Sequence, residues 1–470
     1  MKFQSFEFVV FLVAVVGVYW LLGRRSQNVF LLIASYVFYG FVNPWLVLLL
    51  VAFTGVNFGC AVLQEFRPNH RKLFMLSSVI FSLSVLGYFK YFNFFISSFV
   101  ELFNALGGST FGRSFDILLP IGISFFTFQT IGYAIDVYRH KVAPTKNLID
   151  FAVFVAFFPQ LVAGPIERAN RLLPQFQRTR RLKPEAARLA LVIMAWGFFK
   201  KLVIADQVAV IADRIFATAE PGLVLLAVGT LAFGIQIYAD FSGYTDIARG
   251  AAKLFGINLS RNFNHPYLAR SPREFWRRWH ISLSSWFRDY VYVPLGGSHS
   301  GHARNLRALL VTFIVSGLWH GASWNFALWG AYHGLLLAGQ RYLSLRFTQP
   351  LQGVLGSTLT GIVTFSLVTF GWLLFRDRDL YYVSHLFEQP VLPSGGEGWG
   401  PPLFLLMQTA LWALPIWLHP IYTSIASNGR ASRVVRGNAW VFDAGIATIL
   451  LAAVMLLRGR SGSDFIYFQF

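Results

Sequence analysis

The chain has 470 residues, 55% hydrophobic and 17% aromatic, and only 13% are charged, where soluble domains carry about 25%. It holds one cysteine, Cys60, and a net charge of +19 from 40 Lys+Arg against 21 Asp+Glu. These values exclude a soluble globular domain, an internal disulfide and a cysteine metal cluster; the basic residues cluster in short loops between apolar runs, so positive-inside topology accounts for them and no nucleic-acid partner is expected.

Apolar runs long enough to span a bilayer recur along the chain. The first, from Phe8 to Leu22, is followed by Arg24-Arg25 and by no small-residue cleavage site, so it reads as a retained span rather than a signal peptide. Full spans are expected near 6–22, 27–42, 44–62, 73–99, 115–136, 186–206, 222–241, 356–375, 402–419 and 440–457. Residues 149–163 are short, end in Ala163-Gly164-Pro165, and read as a re-entrant segment. Residues 308–340 read as two spans or as two helices broken near His320-Gly321. All basic loops can be cytoplasmic if both termini are exterior and these two segments enter and return on one side. The Gly- and Pro-rich stretch from Pro390 to Pro402 then forms an exterior loop. Without internal repeat, coiled coil or linker, residues 1–470 are expected to form a single membrane domain. The expected class is an all-α polytopic membrane protein with re-entrant and interfacial helices.

Polar groups interrupt this pattern at few places. Ser124, Thr127 and Gln129 lie inside the apolar run from Ile117 to Ile135. Asp240 and Asp246 lie in a hydroxyl-rich cluster expected at the inner end of the 222–241 span, suited either to orienting a histidine or to interhelical hydrogen bonding. The segment from Ser271 to Tyr290 starts with a capping box of Ser271, Pro272 and Glu274. Apolar residues then follow helical spacing through Trp276, Trp279 and Trp286 to Tyr290, as in an interfacial helix anchored by tryptophans. Arg277, Arg278 and Arg288 in this segment suit either positive-inside topology or guidance of a phosphate-bearing donor, and His280 is explained by neither.

His320 stands out most. No charged residue lies between Arg307 and Arg341, so this imidazole must face a polar cavity or a partner inside the protein. It is a candidate for chemistry, with a packed, hydrogen-bonded histidine as the alternative. His333 lies in the same apolar region and suits packing equally well. The sequence has no phosphate-binding glycine loop, no His-Glu-x-x-His motif and no i, i+4 histidine pair, so no metal site is expected.

Five segments in order carry a family resemblance: Pro120 to Gln129, Phe158 to Arg168, Asp240 to Tyr244, Trp276 to Tyr292, and Gly317 to Trp329. With them the chain resembles the membrane-bound O-acyltransferase family, in the bacterial branch with alginate O-acetyltransferase and the D-alanyl transferase of teichoic acid. The resemblance implies a ring of transmembrane helices around a thinned centre pierced by a tunnel. It matches His320 to the family's catalytic histidine and His280 to its second, cytoplasmic-side histidine. Trp276, Arg277, Trp279, Asp240, Trp319, Trp324 and Asn325 become candidates for lining the tunnel or positioning the donor.

The resemblance further implies that this enzyme of a bacterial inner membrane transfers acetyl from acetyl-coenzyme A, a substrate rather than a bound cofactor. The acceptor would be an exported polysaccharide, as in alginate biosynthesis, reached directly or through an exterior acetyltransferase partner. Tyr467, in the aromatic terminus, is similar to a terminal tyrosine motif of a small partner peptide in the teichoic-acid system. It is therefore a candidate acyl relay, with an aromatic interface anchor as the alternative. Peptidoglycan, cellulose or teichoic acid remain alternative acceptors. A transporter of an activated sugar or lipid is the alternative class, against which stand the lack of an inverted repeat and of a multi-acid ion site.

Overall fold

The computed structural model describes residues 1–109, 115–162, 164–298, 301–346, 353–392, 398–427, 439–459 and 465–466. Every regular element among the described residues is helical, and there is no strand. Among the described residues, six helices are long and apolar enough to cross a membrane: Trp45–Phe66, Pro68–Ala105, Gly222–Leu254, Gly353–Arg376, Gly400–Ile421 and Trp440–Leu457. The protein is a multi-pass, all-α membrane protein. Its contacts divide it into two compact units, one of residues 1–187 with 251–260 and one of residues 188–250 with 261–470.

The first unit contains α1 (Phe6–Trp20), α2 (Arg24–Gly40), α3 (Trp45–Phe66), α4 (Arg71–Leu86), α5 (Phe92–Ala105), α6 (Ile123–Tyr138), α7 (Leu148–Ala156), α8 (Phe158–Leu161) and α9 (Ala169–Gln177). The expected span at 115–136 needs correction, because its helix begins only at Ile123. Gly122 has φ of +80°, and a Cβ there would overlap the Leu161 carbonyl, so the close approach of α8 sets the start of α6. In the stretch expected to be re-entrant, two short helices, α7 and α8, are separated by Phe157, which leaves the helical conformation.

Several buried polar side chains in this unit pair with one another. Gln129 donates to the Phe154 carbonyl at 2.6 Å and accepts from Gln160 at 2.6 Å. Asn28 donates to Asp150 at 2.7 Å and accepts from Arg180 at 2.5 Å. Ser124, Thr127 and Gln129 are buried within this unit.

The second unit takes over within α10 (Pro184–Phe199) and continues with α11 (Asp206–Phe216), α12 (Gly222–Leu254), α13 (Pro272–Arg278), α14 (Ile281–Phe287), α15 (His302–His320) and α16 (Trp324–Arg346). It is completed by α17 (Gly353–Arg376), α18 (Tyr381–Ser384), α19 (Gly400–Ser427) and α20 (Ala439–Leu457). A π-helical stretch, Lys200–Ala205, joins α10 to α11.

Glycines set two close approaches. A Cβ on Gly197 would meet the Gly243 carbonyl at 2.8 Å, and a Cβ on Gly243 the Gly197 carbonyl at 2.8 Å, so α10 and α12 touch backbone to backbone. In the antiparallel hairpin of α15 and α16, Gly317 faces the Phe326 carbonyl and Gly330 the Phe313 carbonyl with no room for a side chain. Small residues at helix interfaces suit a membrane interior, where packing rather than water exclusion drives association.

A candidate active site walled by aromatic rings

The hairpin places His320. It is the last residue of α15, followed by Gly321 in extended conformation, and the chain re-enters helix at Trp324. The break expected at His320-Gly321 is therefore present. The His320 side chain is 3% exposed, and rings surround it: Trp319 at 5.0 Å, Trp329 at 5.2 Å and Phe375 at 5.3 Å between centroids. Asn325, fully buried on the first turn of α16, donates to the carbonyls of Leu374 and Phe375 at 3.2 and 3.1 Å. Those bonds tie α16 to the end of α17 and fix the Phe375 wall. The Asn325 carbonyl oxygen and the Trp329 indole N–H are buried with no hydrogen-bond partner among the described residues. Unpaired buried polar groups are costly and call for a functional or ligand-related explanation.

His280 is fully buried, against Phe241 at 4.7 Å and Trp319 at 5.9 Å. Both histidines therefore contact the Trp319 ring. The expected continuous helix from Ser271 to Tyr290 is corrected here. The capping box forms, with Ser271 accepting from the Glu274 amide at 3.2 Å, but the helix stops at Arg278. His280 has φ of +41°, and α14 starts at Ile281. The cause is long-range pairing: Arg278 accepts from the Asn264 amide at 2.9 Å, and Ile281 donates to the Asn262 carbonyl at 2.9 Å. These backbone bonds, on both sides of His280, pull it out of helical register. His280 lies outside the membrane spans, and burial pushes its pKa down to about 3, which keeps it neutral at physiological pH. Neither ring nitrogen has a hydrogen-bond partner outside its own residue among the described residues.

The other candidates divide. Trp276 and Trp279 are buried, not anchored at an interface as the interfacial-helix reading had it, because their rings pack on Trp329 at 5.7 Å and Trp372 at 4.8 Å. Arg277 is exposed, and Arg278 pairs with Glu274 at 2.5 Å. Trp324 is 60% exposed at the start of α16.

Asp240 is not at a helix end, since α12 continues unbroken to Leu254. Nor does it hold a histidine: it pairs with Lys201 at 3.0 Å and accepts from the Ile466 amide at 2.7 Å. Lys201 also pairs with Asp206 at 2.9 Å, making a buried three-charge cluster across the π-helical stretch, the start of α11 and α12. Tyr467 lies outside the described residues; the two residues before it are buried, with Phe465 against Tyr244 at 4.2 Å.

Sequence reasoning gave His333 little weight. In the fold it is 1% exposed and joins the same cluster through Trp329 at 4.9 Å and Trp276 at 5.1 Å, with neither ring nitrogen partnered among the described residues. Its position about two and a half turns after Trp324 on an apolar helix gave no signal of this. Asn262 and Phe263, which shape the His280 bend, were also missed, being ordinary loop residues in the sequence. No group of three or more His, Cys, Asp or Glu arranged to hold a metal occurs among the described residues.

A family model described as MBOAT, membrane-bound O-acyltransferase family, matches residues 142–372, which include His280, His320 and most of their aromatic walls. A protein of Pseudomonas aeruginosa named "Probable alginate O-acetylase AlgI" is 42% identical over 396 residues, covering 83% of this chain and 74% of that one. The chain belongs to the membrane-bound O-acyltransferase family. A Pseudomonas putida protein of the same name is 38% identical over the whole of both chains. A family member of Helicobacter pylori named "Peptidoglycan O-acetyltransferase" is 32% identical over 96% of this chain and 94% of its own. In this membrane-bound O-acyltransferase, both histidines singled out from the sequence fall within the matched region, and Tyr467 falls outside it.

Proposed function

We propose that the protein is an O-acetyltransferase of the bacterial inner membrane in which His320 is the general base. Acetyl-coenzyme A supplies the acyl group from the cytoplasm, and the acceptor is a hydroxyl of an exported polysaccharide of the alginate type, reached directly or through an exterior partner transferase. Both termini lie on the exterior side in this reading, and the donor reaches His320 through the tunnel typical of the family. The likeness to alginate O-acetylases over the full chain supports the acetyl group and the polymer class. The observation that carries the base is His320 itself: a titratable ring, 3% exposed, where the α15–α16 hairpin breaks and polar backbone meets an aromatic wall.

Neutral His320 accepts the proton of the acceptor hydroxyl as its oxygen forms a bond to the thioester carbonyl carbon. The carbon–sulfur bond then breaks, and the proton passes from the imidazolium to the leaving thiolate, giving the acetyl ester and free coenzyme A. Negative charge on the carbonyl oxygen needs a donor fixed in advance, which the Trp329 indole N–H or the His280 ring supplies. The aromatic walls around both rings exclude water and protect the thioester from hydrolysis.

A second form of the same reaction uses Tyr467, which follows the buried Phe465 and Ile466. In it, Tyr467 is the first acceptor hydroxyl, and its phenyl ester then passes the acetyl group to the polymer or the partner transferase. Full polymer acetylation with Tyr467→Phe rejects this relay.

The deciding experiment complements a deletion strain with wild type or His320→Ala and measures polymer O-acetyl content, with membrane protein level as control. Loss of a general base lowers the rate about 10²–10⁴-fold. Undiminished acetylation by His320→Ala would remove the central claim.

A further inference from the structure

A cavity of about 210 Å³ lies in the second unit, bounded by α10, α12, α19 and the loop at 261–265. Its charged lining is unbalanced. Lys200 and Arg249 both pair with Asp246, at 2.7 and 2.9 Å, and Arg261 adds a third cation whose bond is to a neutral partner, Asn264, at 3.3 Å. Three cations thus face one carboxylate. None of these cations belongs to the 277–288 arginines that the sequence offered for a phosphate-bearing donor.

Two further groups point to a ligand. Asn262 is fully buried; its carbonyl oxygen is taken by the amide and hydroxyl of Ser282 at 3.3 and 2.6 Å, while its Nδ2 has no partner among the described residues. Thr245 is 2% exposed, and its Oγ1 likewise has none, not even the helical carbonyl a turn earlier that buried threonines elsewhere in the chain use. Both line the cavity.

A cavity lined by ammonium, guanidinium, amide and hydroxyl donors, with its sole carboxylate already shared, suits a ligand that is all acceptor. Phosphate is such a group: several oxygens, no donor, and a charge that Arg recognises with a fixed fork. On one side the His419 ring stacks on Trp196 at 4.8 Å and 10°, a flat wall for the rest of the ligand.

We propose that this cavity is a phosphate-binding site. The phosphate comes either from the nucleotide end of the acyl donor or from an anionic lipid headgroup. The donor branch rests on the reading above that coenzyme A carries the acyl group. It has a geometric argument in its favour: Asn262 and Phe263 wall the cavity and also touch the His280 bend, through the Ile281 amide at 2.9 Å and the His280 ring at 6.5 Å.

The test uses the full chain in nanodiscs of zwitterionic lipid, with binding rather than acetyl transfer as the readout. Coenzyme A, pantetheine and a short-chain phosphatidylglycerol are titrated against wild type, Arg261→Gln and Thr245→Val. Arg261 is exposed, and a valine has the shape of threonine, so both variants are expected to fold, checked by size exclusion. The expected result is binding of a phosphate probe at least tenfold tighter than pantetheine, weakened about tenfold or more by Arg261→Gln and less by Thr245→Val. Coenzyme A binding identifies the donor as the source, and phosphatidylglycerol binding identifies the lipid. Phosphate probes that bind no better than pantetheine, or as well to both folded variants as to wild type, overturn the site. A protein that binds coenzyme A here yet never transfers acetyl from it overturns the donor reading alone.

Discussion

The His320 imidazole stands edge-on to the Trp329 indole, with ring centroids 5.2 Å apart and planes at 86°. The same indole meets His333 at 4.9 Å, so one fully buried tryptophan separates two buried histidines. Trp329→Phe keeps a ring between them but removes the N–H, whereas Trp329→Ala opens a hole. The alanine variant is expected to lose roughly 3–5 kcal/mol of stability. The phenylalanine variant is expected to fold and to turn over more slowly. Thermal unfolding and turnover of both in detergent separate the two effects, and full turnover by Trp329→Phe would show that the N–H plays no part.

The Lys201 cluster is buried, and its pairing predicts a structural role. Removing one partner of a buried ion pair leaves an uncompensated charge, so Lys201→Met is expected to cost roughly 3–5 kcal/mol. Both Asp206 and Asp240 would then lose their ion-pair partner Lys201. The check is the unfolding midpoint of the purified protein, and an unshifted midpoint would contradict a structural role.

Helix approach sets a third expectation. Gly330→Ala puts a methyl group against the Phe313 carbonyl, a backbone atom that cannot rotate away, at an overpacking cost of roughly 1–3 kcal/mol. Gly361 on α17 has open space around it, so Gly361→Ala is expected to be neutral or slightly stabilising through helix propensity. Folded yield after detergent extraction compares the pair.

His280 predicts a direction with pH. Folded, its pKa is held at about 3 by burial, while the unfolded chain titrates near the ordinary value of 6.5. Below 6.5 the unfolded state binds a proton that the folded state refuses, so stability falls as pH drops from there toward 3. His280→Asn tolerates the left-handed backbone and removes the titration. Its midpoint is expected to change less than wild type's between pH 7.5 and 5, and equal slopes would assign the acid sensitivity to other groups.

Much of this was legible in the chain. The apolar runs at 44–62, 222–241 and 440–457 read as spans because only a helix satisfies its own backbone in lipid, and each overlaps a helix long and apolar enough to cross. The Ser271 cap and the break after His320 were equally local, one written in a Ser-Pro-x-Glu run and the other in a glycine after an apolar helix. The bend at His280 was not, since the apolar spacing continues through it. Only bonds from Asn262 and Asn264, distant in the helical register, interrupt it. The same holds for Asp240, which looks like a helix-end acid until Lys201 arrives from another helix.

The sequence by itself determined a multi-pass helical protein and singled out His320, because hydropathy and an isolated imidazole are properties of consecutive residues; acyl transfer was implied by the resemblance of five segments to a family. The tertiary structure decided what surrounds that ring: Trp329 and Phe375 as its walls, His280 turned inward, His333 behind the indole, and three cations gathered beside Thr245 and Asn262. The reason is physical. Burial, pairing and charge balance depend on which helices meet, and in this chain glycine-permitted contacts between helices distant in sequence set those meetings.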